Sequence, residues 1–296
     1  MLQEKQKEGF NQMLVYIEAC HSGSMIDFLD NTWRIYATAA ANSKENSYAV
    51  YCLLEVYHTC LGDGYSVAWM EDSDVDDVTL ETIGTQFDRV KARVLTQKTI
   101  SHVVEYGLMD IKGSMLSVFQ GPEGKSLPRK KETSARATTE YETMSQDEVE
   151  VWYLKGMVRR AKLGSVEREE AQKQLDDVIA HRKHVDQSVV AIVRAIVDGQ
   201  SNDTNATTCS QVLKGNTKAY TWDWKCFKGM IASYQAQCGT LRLYGKKYNQ
   251  VFAKLCDIGI SPKQLGVAAR QICLPHLVNP QWMAEDKAGF YENPYV

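Results

Sequence analysis

A cysteine that ends an apolar run is the residue of this sequence best suited to chemistry. The run Leu14-Val15-Tyr16-Ile17-Glu18-Ala19 is rich in β-branched and aromatic residues, which is typical of a buried strand, and it stops at Cys20. Small residues follow His21 and indicate a turn. Ligands of parallel α/β sheets bind outside the carboxyl ends of strands, so Cys20 is a candidate nucleophile. A lone cysteine there is more often a small buried apolar residue, and the hypothesis therefore requires a partner base.

The segment around this cysteine resembles a known enzyme family. Glu18-Ala19-Cys20-His21-Ser22-Gly23-Ser24-Met25 is similar to the nucleophile segment of legumains, the asparaginyl endopeptidases or vacuolar processing enzymes. The caspase form, Gln-Ala-Cys-x-Gly, is absent. The resemblance covers nearly the whole chain, and its downstream part is similar to the plant-like form of the legumain prodomain. The further matching blocks, in order, are Ile35 to Asn42, Ser47 to Ala49, Leu61 to Asp63, Trp69 to Asp74, Ser101 to Val103, Phe119 to Gly121, Glu170 to Gln174, His181 to Asp186 and Asp223 to Cys226.

The resemblance implies a role for several residues. Cys20 would attack the carbonyl carbon of the peptide bond that follows an asparagine and form an acyl-enzyme, which water or another amine resolves. Glu18, Ser47 and Asp63 match the family positions that bind the asparagine side chain, since carboxylates accept from its NH2 and a hydroxyl donates or accepts. Asn46 replaces the serine more usual beside Ser47.

The implied function is a cysteine endopeptidase that cleaves proteins or peptides after Asn, and after Asp in acid, during vacuolar or lysosomal processing. Resolution of the acyl-enzyme by an amine would make the intact enzyme a peptide ligase. The helical C-terminal domain would act as the enzyme's own inhibitor. The resemblance implies no metal and no cofactor.

The catalytic histidine of the family, in a His-Gly segment, has no counterpart among the six histidines. His21 adjoins Cys20, but consecutive residues leaving a strand point oppositely, which makes it a poor substitute. We therefore expect an N-terminally truncated legumain that is inactive by itself. The rival hypothesis is a binding module whose helical domain caps another protease, and a structural transamidase subunit of related fold is less favoured.

The pattern of the chain predicts two domains and a linker. Residues 1–121 are predicted to be a partial caspase-like α/β catalytic domain, residues 122–150 a linker or activation segment, and residues 151–296 an all-α prodomain. The predicted strands of the first domain are Leu14 to Ala19, Arg34 to Ala39 and Met115 to Phe119, and its predicted helices lie around Val78 to Leu95 and Ser101 to Tyr106. Ser261-Pro262-Lys263-Gln264 is a predicted capping box.

The linker bears on how a zymogen would be opened. It contains no asparagine, because none occurs between Asn46 and Asn202. Asp147 is its nearest isostere, and we expect self-cleavage after Asp147 only in acid, since an ionised aspartate would meet Glu18 and Asp63 with like charge. The alternative is cleavage at Arg129-Lys130-Lys131 by another protease.

Four of the eight cysteines lie in the last quarter of the chain: Cys226, Cys238, Cys256 and Cys273. They have no Cys-x-x-Cys pair and no interleaved histidine, so disulfides are favoured over zinc. Spacing alone leaves three connectivities open, and the resemblance implies Cys226 with Cys256 and Cys238 with Cys273. Asn202 and Asn205 begin sequons, and as candidate glycosylation sites they favour the secretory route.

Charge and composition argue against other partner classes. The net charge of -3 gives no reason to expect binding to nucleic acid or to an anionic membrane. No apolar run reaches the roughly 18 residues that span a bilayer. The acidic run from Glu71 to Asp77 lacks the EF-hand glycine and distal glutamate, so we interpret it as a solvated helix start and predict no metal site.

Overall fold

The structure is a computed structural model that describes residues 9–52, 59–96, 101–121, 143–198, 209–214, 223–274 and 278–283. The chain forms two compact units, Met1–Ala161 and Lys162–Val296. The sequons at Asn202 and Asn205 and the basic triplet at residues 129–131 lie outside the described residues.

Two small sheets frame the first unit. Its described strands are β1 (Met13–Ile17), β2 (Ile35–Ala39), β3 (Tyr48–Cys52), β4 (Cys60–Asp63), β5 (Val104–Gly107) and β6 (Met144–Ser145). One sheet has the order β1-β2-β5, with β1 parallel and β5 antiparallel to β2. The other has the order β4-β3-β6 and is antiparallel throughout. β2 is buried along its whole length, so the core of the first sheet forms around it.

Helices and short turns cover these sheets. The helices are α1 (Gly64–Val75), α2 (Ile83–Thr96), α3 (Ser117–Gln120) and α4 (Val149–Arg160), and the 3-10 turns are Ser22–Met25, Met109–Gly113 and Gln146–Glu148. Phe87, Val90 and Val94 recur on one face of α2 and pack against Tyr65 and Ala68 of α1. This packing holds the N-terminal end of α1 in place.

The predicted strands at Leu14 to Ala19 and Arg34 to Ala39 are present, but two other predictions for this unit are wrong. Residues 115–119 form a β-bridge at Met115 and then enter α3. Leu116 is fully buried, and its carbonyl accepts from the backbone N–H groups of Phe119 and Gln120. Residues 101–106 are extended and lead into β5, since β-branched residues there pair with β2.

The acidic run lies at the C-terminal end of α1, where the helix dipole disfavours negative charge, and not at a helix start as predicted. Arg89 compensates: its Nη1 lies 2.6 Å from Asp76, 2.7 Å from Glu81 and 3.7 Å from Asp72. Oxygens of these three carboxylates lie within 4.8 Å of one another and could hold a metal ion. Arg89 already supplies the positive charge there.

The predicted division of the chain at residue 150 falls within α4. Val149 and Trp152 of this helix pack against Ala49 and Met144 of the second sheet. The first compact unit accordingly includes α4.

The described part of the second unit is helical, in agreement with the predicted all-α domain. Its helices are α5 (Val166–Asp198), α6 (Cys209–Leu213), α7 (Trp224–Cys238), α8 (Arg242–Gly245), α9 (Asn249–Asp257) and α10 (Pro262–Cys273), with 3-10 turns at Lys246–Tyr248 and Pro280–Met283. Val189 and Ile192 of α5 join Tyr234, Phe252 and Leu265 in one core. The capping box at Ser261 is confirmed, with both reciprocal hydrogen bonds present. No helix of the described residues is long and apolar enough to cross a membrane.

Three disulfides are present in the described residues. Cys226 pairs with Cys256 and Cys238 with Cys273, the connectivity implied by the family resemblance. The third, Cys52 with Cys60, has no counterpart in the sequence predictions. It joins opposite positions of β3 and β4, a pairing that only the sheet register reveals.

A buried histidine makes the stability of the second unit dependent on pH. His181 is 2% exposed, its Nε2 donates to the carbonyl of Thr240 at 2.8 Å, and its ring packs edge-on against Trp282. Burial lowers the pKa of His181 from 6.5 to about 4. The unfolded chain therefore takes up a proton at higher pH than the folded chain does, and this contribution to stability falls as pH drops from 6.5 to 4.

We expect His181→Gln to flatten this pH dependence, because an amide can still donate to Thr240 but does not titrate. The measurement is the urea midpoint of helix loss by circular dichroism at several pH values from 7 to 4. His102→Gln, at an exposed histidine of the first unit, is the control. An unchanged acid-induced loss in His181→Gln would contradict the assignment.

Candidate active site

The nucleophile candidate lies just beyond the end of β1. Cys20 is half-buried, and the backbone of His21 adopts the left-handed conformation, with φ of 57°, before the 3-10 turn begins at Ser22. The buried hydroxyl of Ser22 accepts from the backbone N–H of Ala41 at 3.1 Å and lies 3.3 Å from its carbonyl. This anchor fixes the turn after Cys20 against the end of β2.

Gly23 allows that turn to approach the next loop closely. A Cβ at Gly23 would lie 2.9 Å from the backbone nitrogen of Ser43 and 3.0 Å from the carbonyl carbon of Asn42. These backbone atoms begin the loop that carries Asn46 and Ser47. Glycine at this position therefore lets the two loops of the site meet.

Two carboxylates lie beside the cysteine. Glu18 Oε2 accepts from the backbone N–H and the hydroxyl of Ser66, each at 3.0 Å, and so satisfies a free N–H in the first turn of α1. Glu18 Oε1 is buried and has no hydrogen-bond partner among the described residues. Asp63 is the N-cap residue of α1.

Burial sets the protonation of this pair. Desolvation, together with the charge of Asp63, raises the pKa of Glu18 to about 7, and hydrogen bonding by Ser66 and, to a lesser extent, by Ser47 opposes the rise. Desolvation also raises the pKa of Asp63, and a hydrogen bond from Gln146 opposes this. The pocket therefore offers acceptor oxygens and, below neutral pH, a protonated carboxyl that can donate.

Ser47 links the cysteine to the pocket. Its buried hydroxyl lies 3.7 Å from Cys20 Sγ, and it lines a small cavity with Glu18, Gly64 and Tyr65. The structure thus brings together all four residues that the resemblance assigned to catalysis and substrate binding. Burial raises the pKa of Cys20, the hydrogen bond with Ser47 opposes the rise, and the charges of Asp147 and Asp63 add to it.

Neither histidine near this site hydrogen-bonds to the Cys20 thiol in the described structure. The backbone N–H of His21 donates to the carbonyl of Glu45 at 2.8 Å, and His102 Nδ1 lies 2.9 Å from Glu45 Oε2. The hydrogen bonds of His102 and His21 thus hold the loop that leads to Ser47.

One residue of the site was missed by sequence reasoning. Gln146 Nε2 donates to Asp63 Oδ1, and the Gln146 backbone N–H donates to the carbonyl of Ser47 at 3.2 Å. Glutamine carries the same primary amide as asparagine, and this is the signal in the sequence that could have indicated Gln146. Asp147, the predicted processing residue, instead accepts from the Ser145 hydroxyl at 2.5 Å.

We expect Asp147→Asn to speed alkylation of Cys20. Loss of the carboxylate charge removes one of the causes that raise the pKa of the thiol, so more thiolate is present at a given pH below that pKa. Iodoacetamide labelling at pH 7.5, followed by peptide mass spectrometry, measures the rate. Glu148→Gln, at the exposed next position, is the matched control, and equal rates in the two variants would refute the role of Asp147.

Comparison with known proteins agrees with this geometry. The sequence profile of the Peptidase C13 family matches residues 1–122, and that of the legumain prodomain matches residues 173–273. The chain is 36% identical over 278 residues to the vacuolar-processing enzyme delta-isozyme of Arabidopsis thaliana, 32% over 292 residues to the vacuolar-processing enzyme of Vicia sativa, and 33% over 280 residues to that of Ricinus communis. These alignments cover 90%, 95% and 90% of this chain but only 58%, 58% and 55% of the relatives. The predicted resemblance is confirmed, and the chain belongs to the legumain family of peptidases.

Proposed function

We propose that this chain carries the nucleophile and the specificity pocket of an asparagine-directed cysteine endopeptidase, together with an inhibitory segment, Met144 to Gln146, that occupies the pocket. The observation that supports the proposal most directly is the primary amide of Gln146, hydrogen-bonded to Asp63 beside the second carboxylate, Glu18. The chain itself thus presents to the pocket the functional group of the proposed substrate side chain.

Amide selectivity follows from the acceptors and donors of the pocket. The NH2 of an asparagine would donate to Asp63 and to the unpaired Glu18 Oε1, and its carbonyl would accept from Ser47 or from protonated Glu18. A leucine of the same shape would leave these buried groups unpaired, at a cost of about 1–3 kcal/mol for each group.

The backbone of a substrate would add to β3 as a further strand. The inhibitory segment already does so: Met144 and Ser145 pair antiparallel with Ala49 and Tyr48, and Gln146 then turns its amide into the pocket. Glutamine is one methylene longer than asparagine, so an asparagine must bring its backbone nearer to the carboxylates to make the same bond. The segment is thus an occupant of the correct chemistry and the wrong length.

Cys20 would attack the carbonyl carbon of the residue held in the pocket, and its thiol proton would pass to a general base. The peptide C–N bond would then break, and the leaving amine would take up that proton as the acyl-enzyme forms. The acyl-enzyme would be resolved by water, giving hydrolysis, or by an amine, giving ligation. In keeping with the names of its relatives, we place the protein in the vacuole.

Aspartate should enter the pocket only in acid. An ionised aspartate would face Glu18 and Asp63 with like charge, whereas protonation of Glu18 below about pH 7 and of the ligand near its ordinary pKa removes this repulsion. Self-cleavage after Asp147 stays a prediction on the same basis.

We expect Ac-Ala-Ala-Asn-NH2 to protect Cys20 from iodoacetamide in the Gln146→Ala variant of the full chain, in which the pocket is vacant. Ac-Ala-Ala-Leu-NH2 should not protect, and Ac-Ala-Ala-Asp-NH2 should protect better at pH 4.5 than at pH 7. Protection is read as the loss of label at Cys20, with Cys209, the other free cysteine of the described residues, as the internal reference.

Asp63→Asn should reduce the preference for Asn over Leu, because a neutral amide offers the ligand's NH2 one acceptor oxygen in place of a carboxylate's two and carries no negative charge. Asp77→Asn, at an exposed aspartate just after the C-terminal end of α1, is the control. Equal protection by the Asn and Leu peptides in the Gln146→Ala chain that keeps Asp63 would overturn the proposal.

A further inference from the structure

We propose that Asn46 contacts the side chain of the residue that precedes asparagine in a substrate and selects serine or threonine at that position. The inference rests on the proposed function, because it takes the inhibitory segment as the template for a bound peptide. In that template Gln146 stands for the asparagine and Ser145 for the residue before it.

The register places Asn46 against the side chain of the preceding residue. Ser145 pairs with Tyr48 across the β3–β6 ladder, and the Gln146 backbone N–H donates to Ser47 one position earlier. Asn46, the next residue back, donates from Nδ2 to Ser145 Oγ at 2.9 Å. This contact is made to a side chain, so it distinguishes one residue type from another.

The hydrogen bonds of Ser145 define the chemistry that the subsite accepts. Its hydroxyl accepts from Asn46 and at the same time donates to Asp147 Oδ1 at 2.5 Å. Alanine or valine in this position offers no acceptor to the half-buried amide of Asn46. A hydroxyl side chain is therefore the favoured ligand, and threonine keeps the hydroxyl that its isostere valine lacks.

Asn46 is a position where the sequence departs from the serine usual in the family. Its amide reaches further than a serine hydroxyl, and the structure uses that reach to contact Ser145. Asn46 is thus a specificity determinant for the residue before asparagine that a serine at this position would not supply.

The test compares isosteric peptides in the full-length Gln146→Ala variant. Ac-Ala-Thr-Asn-NH2 should half-protect Cys20 from iodoacetamide at a concentration about two- to ten-fold lower than Ac-Ala-Val-Asn-NH2, the range that one net hydrogen bond supplies. The ratio should fall to about one in the Asn46→Ala, Gln146→Ala double variant.

A second measurement uses the intact chain and does not depend on the Asn46 variant. Ser145→Ala should loosen the inhibitory segment and speed labelling of Cys20, whereas Thr143→Ala, two residues earlier, should not.

The outcomes separate the two proposals. Three results would overturn the role of Asn46. They are equal half-protecting concentrations of the Thr and Val peptides in the Gln146→Ala variant, a ratio of these concentrations that Asn46→Ala leaves unchanged, and equal labelling of Cys20 in Ser145→Ala and Thr143→Ala. In each case protection by Asn peptides over Leu peptides would leave the proposed function standing. If no Asn peptide protects better than its Leu counterpart, the proposed function fails and this inference fails with it.

Discussion

Two carboxylates confined near one half-buried thiol are the constraint on which the site depends. Burial raises the pKa values of Glu18, Asp63 and Cys20, and the charge of Asp63 adds to the rise at Glu18 and at Cys20. Donors must offset that cost, and the chain supplies Ser66 to Glu18 and the Gln146 amide to Asp63. Glu18 Oε1 is buried and has no hydrogen-bond partner among the described residues, so it can accept from one more N–H group.

The second sheet provides the strand against which an extended chain can pair next to these groups. Its central strand, β3, begins beside Ser47, pairs with β4 on one side and receives β6 on the other. The ladder that aligns residues 144–146 with β3 would, in the proposed function, align a substrate as well, since backbone pairing is indifferent to sequence. Side-chain selectivity would then depend on the pocket and on Asn46, and a peptide would compete with residues 144–146 for one strand position.

Local sequence signals predicted the elements that formed, whereas patterns that fit two structures did not. The strand before Cys20, the capping box at Ser261 and the apolar periodicity of α5 depend on neighbours within a few residues. The run Met115 to Phe119 is too short for periodicity to separate a buried strand from a helical turn, and Leu116 enters the core as the N-cap residue of α3. The acidic run lies at the C-terminal end of α1 and not at a helix start, because its compensating cation, Arg89, comes from another helix.

The sequence by itself pointed to Cys20 as the candidate nucleophile and to a helical second domain, and through the family resemblance it pointed to Glu18, Asp63 and two of the disulfides. These depend on residue types at fixed positions along the chain. Only the tertiary structure decided that Gln146 enters the pocket at Asp63, 83 residues earlier, that Asn46 contacts Ser145, 99 residues later, and that Cys52 pairs with Cys60. Their physical reason is the register of β3 with its neighbours and the dielectric environment of the pocket, which distant segments create together and which no local pattern encodes.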